Sequence, residues 1–239
     1  MDLVAVSSII TRAQQAADQE NSAFISPSEW LTYVNYGLRR MHDFLISASG
    51  DEYFLKSYTF ALTNQTPNYT LPTDFLRERS FDLNVSPKPI TMQRFQWRDR
   101  NKYQWAQFNW GAIGAAPMYC LVNNQVYFYP APTVQSAGIT MWYFPTLQST
   151  TDGGTTWASG WISSPTSQVD GINGYEDLAV LYAALKAKTK EGTDTTSLEK
   201  QIVDAKEWIR DSVTRRNDGD PMFIGEVQSD GGGAIFFDR

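Results

Sequence analysis

Few side chains in this 239-residue chain have the types and spacing that catalysis requires. Two adjacent carboxylate pairs, Asp51-Glu52 and Glu176-Asp177, are of the kind that serves glycoside hydrolysis, where one carboxyl donates a proton and the other attacks or activates water. Both fall at the ends of predicted elements. For Glu176-Asp177, favourable interaction with the positive end of a helix is the simpler account. The chain holds one histidine, His42, and one cysteine, Cys120, so a thiolate zinc cluster and a histidine-rich metal site are excluded. His42, on a helix beside Met41, reads as structural or surface, and Cys120, alternating within an apolar strand, as a small buried hydrophobe. No glycine-rich phosphate loop opens a helix, and neither Gly-x-Ser-x-Gly nor His-Glu-x-x-His occurs. A non-enzymatic protein without cofactor or metal is expected.

Three other groups of residues suit binding. Trp157 and Trp161, with Ile162 beside them, lie in a polar stretch; their rings could stack on sugars as a carbohydrate- or receptor-binding module, or be covered by a partner or by the domain itself. Between Arg77 and Lys102 there are seven basic and three acidic residues, interleaved with Phe95, Trp97 and Tyr103. Arg94, Arg98, Arg100 and Lys102 could line a path for nucleic acid, or form part of a mixed solvated surface. The last 24 residues, from Arg216, are rich in Gly and Asp yet carry Met222, Phe223, Ile224, Val227, Ile235, Phe236 and Phe237. Apolar clusters on such a background fit a segment that orders on another protein, or one that folds back on its own domain.

Composition sets the frame for these groups. With 42% apolar and 19% charged residues the chain is neither disordered nor fibrous, and its length fits one or two domains. Folding a chain of this mass removes roughly 70% of its unfolded surface from water, enough for a core without disulfides. The aromatic content is the unusual feature: 8 Trp, 12 Tyr and 13 Phe in a chain of net charge −6. Large rings in such number point to interfaces as well as a core. The acidic balance argues against tight sequence-specific binding of duplex DNA, which depends on cationic side chains displacing counterions. No apolar run reaches the ~18–20 residues of a membrane span, and the first residues lack the pattern of an export signal. Synthesis in a reducing cytoplasm and no membrane association are expected.

The elements that must position these residues are legible in the periodicity. Leu3, Val6, Ile10, Ala13 and Ala17 predict a first helix fading near Glu20. The second starts with Ser26 as N-cap, Pro27 at the first position, Glu29 completing a capping box and Ile25 stapled on Trp30; its stripe is Trp30, Val34, Leu38, Met41 and Leu45, and Gly50 lies where it stops. Then the period falls to two. Strands are predicted over Glu52–Thr63, over Asn68–Leu71, around Phe81, Leu83 and Val85, in a hairpin at 117–130 turning at Asn123-Asn124, and over Gly138–Phe144 as the last strand. A short helix fits Asp99–Gln107. Sixteen of the 24 residues from Gln148 to Gly171 are Ser, Thr, Gly or Asp, which predicts a long flexible loop. Helical spacing returns in Leu178, Leu181, Tyr182 and Leu185, and in Leu198, Ile202, Ala205, Ile209 and Val213, the last helix entered through Thr196 with Glu199 three residues on.

The expected fold is therefore α+β. A four-helix bundle is built from an N-terminal pair (residues 1–50) and a C-terminal pair (172–215), with an inserted antiparallel β domain (51–147), the long loop (148–171) and an extended C-terminal tail (216–239). Trp30, Tyr182 and Trp208 are expected in or beside the bundle, and Tyr127, Phe128, Tyr129, Trp142 and Tyr143 in strands.

In its order of elements and in several phrases the chain resembles the head-to-tail adaptor (connector, or head-completion) proteins of tailed bacteriophages. The phrases are Glu29-Trp30-Leu31-Thr32-Tyr33-Val34-Asn35, Tyr69-Thr70-Leu71-Pro72-Thr73-Asp74-Phe75-Leu76-Arg77, Val126-Tyr127-Phe128-Tyr129-Pro130-Ala131-Pro132, Met141-Trp142-Tyr143-Phe144-Pro145 and Leu181-Tyr182-Ala183-Ala184-Leu185. The resemblance implies a structural virion protein, made in the bacterial cytoplasm and placed at the portal vertex as a ring of identical subunits, typically twelve. It implies contact with the portal protein through the C-terminal tail, with a downstream tail or stopper protein through the β domain and its loops, and with passing DNA without sequence specificity.

Overall fold

The computed structural model describes residues 3–20, 23–49, 54–84, 88–103, 118–129, 131–132, 138–171 and 174–217. In chain order the elements are β1 (Leu3–Ala5), α1 (Val6–Ala16), α2 (Pro27–Ser49), β2 (Lys56–Phe60), β3 (Asn68–Thr70), β4 (Phe75–Leu83), β5 (Ile90–Thr91) and β6 (Gln93–Arg94). A 3₁₀ turn (Trp97–Asp99) leads to the short α3 (Arg100–Tyr103). Next come β7 (Met118–Val122), β8 (Gln125–Tyr129), β9 (Ile139–Pro145), β10 (Gln148–Ser149), β11 (Ala158–Ser159) and β12 (Gln168–Asp170). Helices α4 (Glu176–Glu191) and α5 (Thr196–Asn217) complete the described chain. The class is α+β, with strands paired antiparallel except where β6 meets β7 in parallel.

The helices form where their ends are capped and one face is apolar. At the start of α2 the Glu29 carboxylate accepts the Ser26 N–H at 3.0 Å and Ser26 Oγ accepts the Glu29 N–H at 3.4 Å, the reciprocal capping box. The Lys190 ammonium donates to Glu29 at 2.6 Å, tying α4 to α2; with the Ser26 bonds it holds the Glu29 carboxyl down to about 2. Trp30, Val34, Leu38, Met41 and Leu45 are all buried in a core shared by α1, α2, α4 and α5. At Gly37 the helices approach so closely that a Cβ would lie 2.4 Å from the Ala179 carbonyl oxygen of α4. Helix α4 ends at Gly192, whose φ of 71° lets its N–H turn back to the last carbonyls. The cap of α5 departs from expectation: Asp194, not Thr196, accepts the first free N–H, and Thr195 bonds Glu199.

Two four-stranded sheets, ordered β2-β9-β4-β5 and β3-β8-β7-β6, face each other as a sandwich. Their period-two faces meet in one aromatic core, where Phe81 lies 4.3 Å from Tyr119 and 5.9 Å from Phe128, centroid to centroid. The β7–β8 hairpin turns at Asn123, whose φ of 55° is a conformation asparagine tolerates. Cys120 is buried on the opposite side of β7, with Phe95 and Tyr129, and burial raises its thiol pKa. Of the strand expected over Glu52–Thr63, the described residues hold Lys56–Phe60 as strand, and of the helix expected over Asp99–Gln107 the described part is Arg100–Tyr103.

Three expectations are corrected. Leu3 does not begin the first helix: β1 pairs with β12, and α1 starts at Val6. Nor is 148–171 a flexible loop, or β9 the last strand. The segment carries β10, β11 and β12, with Ile162 and Val169 buried in the helical core. Strands of two or three residues are too short for a periodicity to register. Their order comes from polar bonds: the Asp152 carboxylate accepts from Thr150 Oγ1 and from the Thr155 and Thr156 N–H groups, while Thr150 and Gln168 exchange backbone bonds. These donors hold the Asp152 carboxyl well below the usual carboxylate range.

Candidate functional site

The helical layer and the sandwich are joined by side chains of the sequence phrases quoted above. Asp74 accepts hydrogen bonds from Tyr143 Oη at 2.8 Å, Lys56 Nζ at 3.2 Å and Gln148 Nε2 at 3.2 Å, and its carbonyl accepts the Thr146 N–H. One carboxylate thus links β2, β9 and β10. Burial, and the bond it donates to Asp74, push the Tyr143 phenol well above its ordinary pKa. Arg77 reaches across to the helices: it donates to the Ile46 carbonyl at 3.4 Å, and its guanidinium stacks 4.9 Å from the Phe144 ring centroid.

Asn35, fully buried on α2, fastens the 148–171 segment. Its amide donates to the Ile162 carbonyl at 2.9 Å and its oxygen accepts the Ile162 N–H at 2.9 Å, so one side chain replaces a missing strand partner. Two turns on, His42 is buried with Nε2 at 3.0 Å from the Pro145 carbonyl and its ring against Phe54. Burial lowers the His42 pKa, against opposing effects of the Pro145 carbonyl and Asp43. A groove of about 370 Å³ runs along this junction, lined by Arg39, His42, Asp43, Thr73, Leu76 and Ser159 among others. At its edge stands Trp161, 52% exposed, with the Arg39 guanidinium 5.0 Å from its ring centroid.

A second surface lies on the outside of the helices. Tyr36 of α2 and Tyr182 of α4 meet edge to face at 6.2 Å, and cations cover them: Lys186 at 4.5 Å and Arg40 at 5.4 Å from Tyr36, Lys206 at 5.5 Å from Tyr182. Both surfaces present large rings and cations, the composition of protein contacts.

A family model described as SU10 adaptor protein matches residues 4–222, from β1 through the helical layer and sandwich to beyond α5. The chain belongs to this family. No curated protein matches it. Family membership makes it a bacteriophage structural protein of adaptor type, associated with the virion. Among the described residues no helix is long and apolar enough to cross a membrane.

With the adaptor family established, the sequence-derived candidates divide. Trp161 is on the surface, Trp157 is half-buried, and Ile162, expected as a contact residue, is 2% exposed and belongs to the core. Arg39 occupies one face of the Trp161 ring, which leaves less of it for a sugar. Of the basic set, Arg94 is neutralised by Glu78 at 2.5 Å, Arg98 extends into solvent near Asp99, and Arg100 stacks on Trp97 at 5.0 Å. Lys102 lies in α3. Glu176 and Asp177 both pair with Arg12 of α1. Asp51, Glu52, Met222, Phe223, Ile224, Val227, Ile235, Phe236 and Phe237 lie outside the described residues. Sequence reading missed Asp74 and Asn35, whose signal was present in the quoted phrases but whose partners lie far along the chain. Trp208, expected in or beside the bundle, stands beside it: its ring meets core Tyr175 edge to face at 5.5 Å and is 54% exposed, because its position on α5 falls to one side of the buried face.

Proposed function

We propose that the chain is a non-enzymatic connector that joins the portal to the tail. In this reading its four long helices form a bundle, and identical copies, twelve by resemblance, form a ring that extends the DNA exit channel and offers a platform to a downstream tail or stopper protein. The observation that carries the reading is the family match over both structural regions together with rings left outside two filled cores: Phe24, Trp161 and Trp208 are each more than half exposed. Burying such rings on a partner is favourable by roughly 25 cal/mol per Å² of apolar surface. The net charge of −6 suits a channel in which DNA slides without adhering.

The apolar clusters from Met222 to Phe237 are assigned to portal docking. Residues 218–239 follow α5, the last described element. Without them the truncated chain should fold, by circular dichroism, and lose binding to purified portal in a sedimentation assay. Undiminished portal binding would overturn the docking role, and absence of the chain from the neck in cryo-electron microscopy of virions would overturn the connector reading itself.

A further inference from the structure

The helical layer carries two unlike patches. The first is the cation-and-ring cluster of Tyr36, Arg40, Phe44, Tyr182, Lys186 and Lys206, in which Lys206 lies over both Phe44 at 5.8 Å and Tyr182 at 5.5 Å. Neither Lys186 nor Lys206 forms an ion pair among the described residues; the acidic neighbour of the patch on α2 is Asp43, which acts on Arg40. Val203, 52% exposed, lies beside Lys206 on α5. The second patch is a line on α5 at four- and three-residue spacing: Asp204, Trp208 and Asp211, all exposed. Trp208 is held upright by an edge contact with Tyr175 at 5.5 Å, and the Tyr175 hydroxyl is anchored to Ser212 at 3.0 Å. Neither aspartate forms an ion pair among the described residues.

We propose that these patches are the two halves of one contact between copies of this chain. Trp208, flanked by Asp204 and Asp211, seats on the Tyr36–Tyr182–Lys186–Lys206 patch of the next copy. The inference rests on the reading of the chain as an assembling adaptor and names the surface that assembly uses.

Three physical arguments select a second copy as the occupant. The charges are opposite: lysines that stand over rings can turn their remaining N–H donors to the incoming carboxylates. The indole is a large, pre-positioned ring, the residue type that dominates contact energies, and its face is the best partner for a cation. The placement also fits repetition. At about 100° per residue, the line through Asp204, Trp208 and Asp211 runs about 135° around α5 from Val203 and Lys206. Lys200 and Glu207, between them, cancel in charge. Two different patches on separate sides of the helix give a heterologous contact, which repeats from copy to copy and forms a ring where the rotation closes, instead of stopping at a two-fold dimer.

The test uses the full chain, alone and with purified portal, in sedimentation velocity and native mass measurements. Lys186→Glu with Lys206→Glu, and separately Asp204→Lys with Asp211→Lys, should each weaken self-association at least about 100-fold by placing like charges face to face. Trp208→Ala should do the same without changing the circular dichroism spectrum. Joining all four charge reversals in one chain restores opposite charges across the contact, and association should return to within about tenfold of the original. Oligomers that persist in either reversal, failure of the combined chain to reassemble while folded, or an original chain that stays monomeric even with portal would overturn the contact. Persistence leaves the adaptor reading standing. Oligomers that need the contact yet bind neither head nor tail components would support the contact and sink the adaptor reading.

Discussion

The sandwich and the helical layer use the same aromatic-rich composition in opposite ways. Between the sheets, Phe60, Phe81 and Phe128 pack on one another within 6.3 Å and are closed to solvent. On the long helices, Trp30 is fully buried among the described residues, whereas Tyr36, Phe44 and Tyr182 are half-buried under cations and Trp208 stands out into solvent. A strand alternates its side chains between two faces, so a sandwich supplies an enclosed place for every second ring. A helix in a two-sided layer buries a stripe, and rings on its flanks need another surface to cover them. Both regions close a core of their own, and the difference lies in where their remaining rings are left.

Three substitutions bear on that difference, in falling order of effect. Phe81→Ala removes the ring that bridges both sheets and should cost about 3–5 kcal/mol of unfolding free energy in a denaturant titration. A loss below about 1 kcal/mol would mean that the sandwich core is not closed as described. Asn35→Ala strips the Ile162 N–H and carbonyl of their buried partner and should cost about 2–3 kcal/mol, with hydrogen exchange rising first in 148–171. Exchange unchanged there would show that Asn35 is not what fastens the segment to the helices.

The smallest effect concerns the junction between the two regions. His42 is held neutral by burial, so its pKa in the folded chain lies below the ordinary value near 6.5 while the unfolded chain keeps that value. The unfolded state then binds the extra proton first. The contribution to stability is complete above about pH 6.5 and falls as pH drops through the folded pKa. Replacing His42 with Gln should flatten the pH dependence of the melting temperature below about pH 6.5; an unchanged slope would assign it to other groups.

Much of this was legible in the chain. Ser26, Pro27 and Glu29 marked the start of α2, and the stripe from Trp30 to Leu45 marked its buried face, because capping bonds and helical periodicity act over three or four residues. Asn123-Asn124 marked the hairpin for the same reason: a turn is a local event. The phrase around Asp74 was visible as a phrase. Its chemistry was not, since Tyr143 and Gln148 lie 69 and 74 residues away.

What the amino-acid sequence determined by itself is the set of elements whose stabilising contacts are near neighbours: the helices with their stripes, the hairpin, and the α+β order. Only tertiary structure decided whether 148–171 is ordered, since β12 pairs with β1 and Ile162 is clamped by Asn35, partners 127 residues apart. It likewise decided that Ile162 is buried and Trp208 exposed. Hydropathy ranks a side chain's preference for leaving water, but which element arrives to cover it depends on packing across the whole chain.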